Sequence, residues 1–239
     1  MLAVAAIAGA GLFGYSSVPR ENRIASFATS LLGRNFSQRH NALLSVRRIN
    51  GALVPPGGEF SFNRRVGSFS SDRGYRKAPV SYNGQLIDDW GGGVCQTSTT
   101  LYNSALLAGM EILERHPHRF CPSYIPPGRD AAVAYTSVDL RFRNPYSFPV
   151  RVHAMIEADL IRVDFMAPHP LPRPVEVVNQ VLSLTKPETF YMGARTASAR
   201  LRNSGKSGYE VAVYRFVGRE RQVISQDEYP AMNRLVQYR

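Results

Sequence analysis

Apolar and polar positions follow two different periods along this chain, and the change of period divides it. In "SQRHNALLSVRRINGALV", Ser37 to Val54, the apolar residues Ala42, Leu43, Val46 and Ile49 recur at helical spacing, which predicts an amphipathic helix with Ser37 as its N-cap. "PPGGEF" ends it, because proline lacks an amide hydrogen and glycine loosens the backbone. "APVSYNGQLIDDW" predicts a hairpin in which Asn83-Gly84 supplies the two positive-φ positions of a type I′ turn. From Gln96 to about Arg115, Leu101, Tyr102, Ala105, Gly109, Ile112 and Leu113 share one helical face, which predicts a core helix with Cys95 at its N-terminus. Beyond Pro126 the period drops to two. "AAVAYTSVDLRFRN", "FPVRVHAMIEA" and "DLIRVDF" predict a meander that turns at "NPYS" and near Ala158-Asp159.

One strong helical period followed by consecutive short strands argues for the α+β class: a helix carrying Cys95 at its N-terminus, packed on a mostly antiparallel sheet built largely from residues after 130. "MAPHPLPRP", Met166 to Pro174, reads as a proline-rich joint, and "YEVAVYRFV" and "RQVISQDEYP" continue the β pattern beyond it. The expected organisation is an apolar signal-like segment at 1–18, a main domain at 36–165 and a β-rich C-terminal extension at 175–239.

Composition changes this picture in two ways. A chain of 239 residues, 44% hydrophobic with 16 prolines, can bury a sizeable core and is a loop-rich globule. Its net charge of +11 comes from 26 arginines and three lysines against 18 acidic residues, a surface that favours polyanionic partners. The densest basic stretch runs from Ser37 to Lys77, where only Glu59 and Asp72 oppose the arginines. No aromatic-interleaved motif accompanies the charge, so an anionic wall or membrane surface is the expected partner and nucleic acid is not. The uncharged opening "MLAVAAIAGAGLFGY" is short for a bilayer span but suits the apolar region of a secretory signal, so the chain is expected outside the cytoplasm, exported or membrane-anchored. Neither a nucleotide-binding glycine pattern after a strand nor a phosphate-loop lysine is present, which argues against a cytoplasmic nucleotide enzyme.

The chemistry centres on "GGGVCQTSTTLYNSALL", Gly91 to Leu107. A thiol at a helix N-terminus meets unpaired N–H groups and the positive end of the helix dipole, both of which favour the thiolate. Cys95 is therefore a candidate nucleophile, with His116 or His118 as base and Asp130 or Asp139 as the carboxylate that orients it. Three other uses of the thiol stay open: a buried core residue, a disulfide with Cys121, or a zinc ligand beside His116, His118 and Cys121. The spacing of those four residues is weak support for metal, and no cofactor is expected. The glycines would let a substrate backbone approach, and the hydroxyls and amide from Gln96 to Thr100 either cap the helix or donate to a bound substrate.

The segments "NALLSVRRINGALVPPGGEFSFNRRVG", "RGYRKAPV", "GGGVCQTSTTLYNSALLAGMEILERHPH" and "YIPPGRDAAVAYTSVDLRFRN", in this order over residues 36 to 153, resemble the VanW family, named for an accessory protein of vancomycin-resistance gene clusters. The family pattern maps onto Gly91, Gly92, Gly93, Cys95, Gln96, Ser98, Thr99, Thr100, Tyr102 and Asn103, then onto His118, Tyr124, Gly128, Asp130, Asp139 and Asn144. His116 and Cys121 fall outside it, which favours His118 as the base and weakens both the disulfide and the zinc site. The resemblance implies a place in the bacterial cell envelope. With it, Cys95, His118, Asp130 and, in reserve, Asp139 are the candidate catalytic residues; Gly91, Gly92, Gly93, Gln96, Ser98, Thr99, Tyr124 and Arg129 are the candidate substrate contacts.

Two functions follow. One is an exported thiol hydrolase or acyltransferase acting on peptide or amide bonds of the cell wall, papain-like or transglutaminase-like by analogy only. The other is a non-catalytic envelope module that binds peptidoglycan or another anionic wall polymer. Convergence of Cys95, His118 and a carboxylate in one open cleft would favour the first.

Overall fold

The computed structural model describes residues 21–82, 85–196 and 198–238. The signal-like segment at 1–18 and the Asn83-Gly84 turn lie outside the described residues.

The first helix, α1 (Phe36–Ile49), starts at Asn35 and not at Ser37. Asn35 Oδ1 accepts from the Gln38 N–H at 2.8 Å while Gln38 Oε1 accepts from the Asn35 N–H at 3.2 Å, a reciprocal capping box. It also ends earlier than its apolar pattern: Gly51, at φ 74°, turns the chain, and Leu53–Val54 become strand β2. The short α2 (Phe62–Val66) follows β3 (Glu59–Ser61). Helix α3 (Val94–Leu107) likewise stops short of Arg115. The Met110 N–H bonds back to Ala105 O at 2.9 Å around Gly109, whose φ of 71° closes the helix, so Ile112 and Leu113 lie on strand β6 (Glu111–Glu114).

The helices share one face of a four-stranded antiparallel sheet in the order β1 (Asn22–Ser30), β9 (Leu160–Ala167), β8 (Val150–Glu157), β2. α3 packs on β1 and β9, α1 packs on β8, and the helices touch each other. Val46, Ile49, Leu101, Leu106, Val152 and Phe165 are all buried in this layer. β1 and β2 precede residue 130, so the sheet draws on the N-terminal part of the chain more than its pattern predicts. The β8–β9 hairpin turns at Ala158-Asp159, with Ala158 at φ 50°. The buried face of α3 is rich in hydroxyls, and those of its serines and threonines find partners: Thr100 with Thr29 at 2.7 Å, Thr97 with Ser45 at 2.8 Å, Ser104 with Val163 O at 2.5 Å.

A second sheet, β3–β7–β6 with β7 at Arg141–Arg143, stacks Phe60 on Phe142 at 4.8 Å between ring centroids. β4 (Lys77–Tyr82) and β5 (Gln85–Trp90) form the hairpin, with Tyr82 opposite Gln85. "AAVAY" makes only isolated bridges, His116 with Ala132 and Ala134 with Val138. After residue 174 come β10 (Val175–Thr185), β13 (Gly208–Val217) and β14 (Glu220–Tyr229), an antiparallel sheet, and β11 (Thr189–Met192), β15 (Met232–Tyr238) and β12 (Ala199–Lys206), in which the β11–β15 pair is parallel. The molecule is thus α+β and mostly antiparallel.

Candidate active site

Backbone pairing aligns two of the four candidate catalytic residues. His116 and Ala132 are antiparallel partners, with the Ala132 N–H donating to His116 O at 2.8 Å. Two residues further along each strand, on the same side, this register sets His118 opposite Asp130. Asp130 Oδ2 accepts from the His118 backbone N–H at 2.7 Å and lies 2.6 Å from its Nδ1. One carboxylate oxygen therefore fixes both the main chain and the ring.

Hydroxyls on α3 then dock this strand beside Cys95. Ser98 Oγ donates to Ala131 O at 2.7 Å, Thr99 Oγ1 accepts from the Ala131 N–H at 3.0 Å, and Asn103 Nδ2 donates to Arg129 O at 2.7 Å. Cys95 is the second residue of α3; its Sγ lies 3.4 Å from Val133 O and its side chain hydrogen-bonds that of His118. The other oxygen of Asp130, Oδ1, takes Arg115 Nη2 at 3.0 Å and the Tyr229 hydroxyl at 2.5 Å. Arg115 Nη1 in turn meets Asp227 Oδ1 at 2.6 Å.

These contacts set the charges. Burial pushes the Cys95 thiol up, but the hydrogen bond and charge of His118 outweigh it and hold the thiol below its ordinary range. Burial works against the His118 imidazolium, yet Asp130 and Cys95 raise it to about 10. Asp130 is fully buried, which alone would raise it; His118 and Arg115 keep it below the usual carboxylate range. The two shifts run in the direction that favours a thiolate–imidazolium pair, whose two members titrate as a unit. The first turn of α3 adds its dipole to the thiolate side.

Cys95 and His118 open onto a cleft of about 590 Å³ walled by Phe69, Trp90, Phe120, Tyr124 and Tyr135. Gly91, Gly92 and Gly93 line it, but the chain itself occupies the space a side chain would need. A Cβ on Gly92 would lie 2.7 Å from Ala78 O and one on Gly93 2.4 Å from Gln38 O, so the absence of a side chain at these two positions makes room for β4 and α1. Gln96 lines the cleft with its amide spent on Arg34, Thr29 and Ser30. Tyr124 also lines it, its hydroxyl 3.4 Å from Cys95 O.

The remaining candidates lie elsewhere. Ser98 and Thr99 are buried beneath the cleft as docking groups. Arg129 is 8% exposed and turned to Asn103 Oδ1, at 2.6 Å, and Val177 O. Asp139 accepts from Ser61 Oγ and the Asn63 N–H, holding the start of α2; its side chain takes no part in the Cys95 cluster. His116 bonds Glu114 at 3.1 Å on the surface. Cys121 is a free thiol, as is Cys95, so the two are not bridged; burial pushes Cys121 up to about 11. Among the described residues no set of side chains is grouped to hold a metal. Arg34, Arg115, Asp227 and Tyr229 belong to the site and carry no local sequence signal: each is a polar residue in an unremarked loop or strand, brought in by tertiary packing.

Fold and site together define an α+β protein with a cysteine–histidine–aspartate cluster in an open cleft. A family model described as VanW like protein matches residues 37–166, more than half of the chain, and the chain belongs to that family. The uncharacterised protein YoaR of Bacillus subtilis is 39% identical over 132 residues, 55% of this chain and 44% of that protein. The vancomycin B-type resistance protein VanW of Enterococcus faecalis is 26% identical over 171 residues, 69% of this chain and 56% of that protein. The chain thus spans about half the length of each relative. A crystal structure of HP0197-G5 matches 27% of this chain and 92% of its own at 22% identity, with a TM-score of 0.18.

Proposed function

We propose that the protein is a thiol-dependent hydrolase or acyltransferase acting on peptide or amide bonds of the bacterial cell wall. The observation that carries this reading is the convergence of Cys95 and His118 in one open cleft, with Asp130 buried behind the imidazole and bonded to its Nδ1. In the reaction, the Cys95 thiolate attacks the carbonyl carbon and a C–S bond forms. The oxyanion develops beside the Cys95 N–H at the start of α3, since the N–H groups of Val94 and Gln96 are bonded to Gly91 O and Gly93 O. His118 gives its proton to the nitrogen of the leaving amine, the C–N bond breaks, and the acyl group stays on sulfur. Water or a second amine then takes the acyl group and returns a proton to His118. Asp130 fixes the ring throughout.

The envelope setting rests on the family and on charge. The resistance role named for the Enterococcus relative fits a substrate in the wall, and the arginine-rich surface from Ser37 to Lys77 suits an anionic wall polymer or membrane outside the cytoplasm. To test the activity, purified protein is incubated with peptidoglycan fragments and with a thiol-reactive probe. Wild type releases or exchanges amine and is labelled at Cys95; Cys95→Ala loses both, turnover by about 10³-fold or more. Turnover that survives in Cys95→Ala refutes the thiol mechanism. Wall binding with no turnover in either protein instead supports a non-catalytic binding module.

A further inference from the structure

Arg34 is the cationic side chain of the cleft whose position is most completely fixed and whose charge is left unused. Its Nε donates to Gln96 Oε1 at 2.8 Å, and its guanidinium lies over the Tyr124 ring, 4.8 Å from the centroid. Gln96 is itself immobile: it is 2% exposed, and its Nε2 donates to Ser30 O at 2.7 Å and Thr29 Oγ1 at 3.2 Å. The amide oxygen therefore has one orientation, and so does the guanidinium bonded to it. Arg34 lines the same cleft as Cys95. Among the described residues no carboxylate lies within 4.0 Å of it and its two terminal amino groups make no hydrogen bond, whereas Arg39, Arg115, Arg141 and Arg143 are all paired with acids. Arg119 and Lys206 add positive charge to the lining, against Asp89 alone.

We infer that Arg34 is the carboxylate anchor of the substrate, and that the enzyme acts next to a free carboxylate of a peptide. This inference rests on the thiol mechanism above. A guanidinium held by Nε and stacked on a ring keeps a planar pair of N–H donors for one carboxylate, a bidentate geometry that lysine cannot offer. Its distance from the thiol is short in chain terms. Gln96, which orients Arg34, follows Cys95 directly, and Tyr124, on which Arg34 rests, points its hydroxyl at Cys95 O. A peptide bound in the cleft that both residues line can therefore meet the guanidinium and the sulfur together. The specificity this gives is for a chain end: the acyl group goes to sulfur while a carboxylate beside the scissile bond sits on Arg34.

The test uses three affinity labels that differ in the presence or the place of a carboxylate: bromoacetyl-alanine, bromoacetyl-alaninamide, and the bromoacetyl derivative of glutamic acid α-amide, whose only carboxylate is on the side chain. Each alkylates a thiolate as the S–C bond forms and bromide leaves. Rate constants at Cys95 are measured for wild type, Arg34→Gln and Arg34→Lys, with iodoacetamide as the neutral reference. Wild type should take bromoacetyl-alanine about tenfold faster than the alaninamide, the size expected of a charge-assisted hydrogen-bonded contact. Arg34→Gln should lose that preference, and Arg34→Lys should keep a small part of it. Equal preference in wild type and Arg34→Gln overturns the assignment, and so does a faster reaction with the glutamate label than with bromoacetyl-alanine. Iodoacetamide separates the two levels. Cys95 no more reactive than a free thiol counts against the thiol mechanism, whereas normal iodoacetamide reactivity without a carboxylate preference counts against Arg34 alone.

Discussion

Cys95 and His118 share one proton, and the reactivity of the site follows from where that proton sits. With the thiol held below its ordinary range and the imidazolium raised to about 10, the proposed reaction requires deprotonated sulfur and protonated nitrogen together. The expected pH profile is a bell. Its acid limb marks protonation of the thiolate, below the ~8.5 of a free thiol, and its alkaline limb lies near 10, where the imidazolium loses its proton. His118→Ala leaves a half-buried thiolate without its counter-ion, so the iodoacetamide midpoint should rise above that of a free thiol and labelling at neutral pH should fall by about tenfold or more. His116→Ala should leave the midpoint in place, because that ring faces Glu114. An unchanged midpoint in His118→Ala would defeat the ion-pair account. The sign for stability follows from the same shift. A histidine raised in the folded state contributes fully below about 6.5, its unfolded value, and the contribution is lost as pH rises through about 10. At this scale the sequence was informative where chemistry is local: a thiol against a helix start, histidines in the next loop, Asp130 beyond them. Arg34 was not legible, because nothing in "LLGRNFS" separates an arginine turned into a cleft from one in solvent.

Helix α3 is placed by the glycines before it and by the hydroxyls along it, and these have different consequences. Gly93 sits at φ 105° with the Gln38 carbonyl where a Cβ would lie, 2.4 Å away, so any side chain there must displace α1. Gly93→Ala should therefore cost about 2–4 kcal/mol, from positive-φ strain plus overlap, and lower Tm by roughly 5–12 °C. Calorimetry checks this, and a change under 1 °C would mean that the loop relaxes freely. The elements were legible where turn chemistry and period agree, as in the β4–β5 strands on either side of Asn83-Gly84. They were misread where a glycine turns the chain while apolar residues continue. Leu53 and Val54 after Gly51, and Ile112 after Gly109, fit a helical face as well as a strand, and the positive φ at each glycine decides. β1 escaped because "NRIASFATS" neither alternates cleanly nor keeps a helical period; its pairing with β9 and its contact with α3 make it a strand.

At the scale of the whole molecule, the sheet beyond the proline-rich joint reaches back into the candidate active site. Tyr229 and Asp227, at the end of β14, meet Asp130 and Arg115, so residues about a hundred positions apart complete one buried network. No local pattern could signal that closure, since Asp227 and Tyr229 lie in an ordinary alternating strand. The Tyr229 hydroxyl donates to Asp130 Oδ1 and accepts from the Gly128 N–H at 3.0 Å, linking the carboxylate to the turn that delivers it. Arg115 and Asp227, with side chains 5% and 6% exposed, are a buried pair, but Arg115 keeps Asp130 at 3.0 Å, so Asp227→Asn should cost about 2–3 kcal/mol. Tyr229→Phe is the gentler and more informative change. It keeps the ring and removes one donor from Asp130, which still holds Arg115 and His118 and stays ionised at neutral pH. With one donor fewer, more of the Asp130 negative charge falls to the His118 imidazolium, so the alkaline limb of the turnover profile should move up from about 10. Stability should fall by only about 1–3 kcal/mol, the cost of one unmade buried hydrogen bond. A lower Tm with an unmoved alkaline limb would make the C-terminal sheet a passive support; a moved limb would make it a working part of the site.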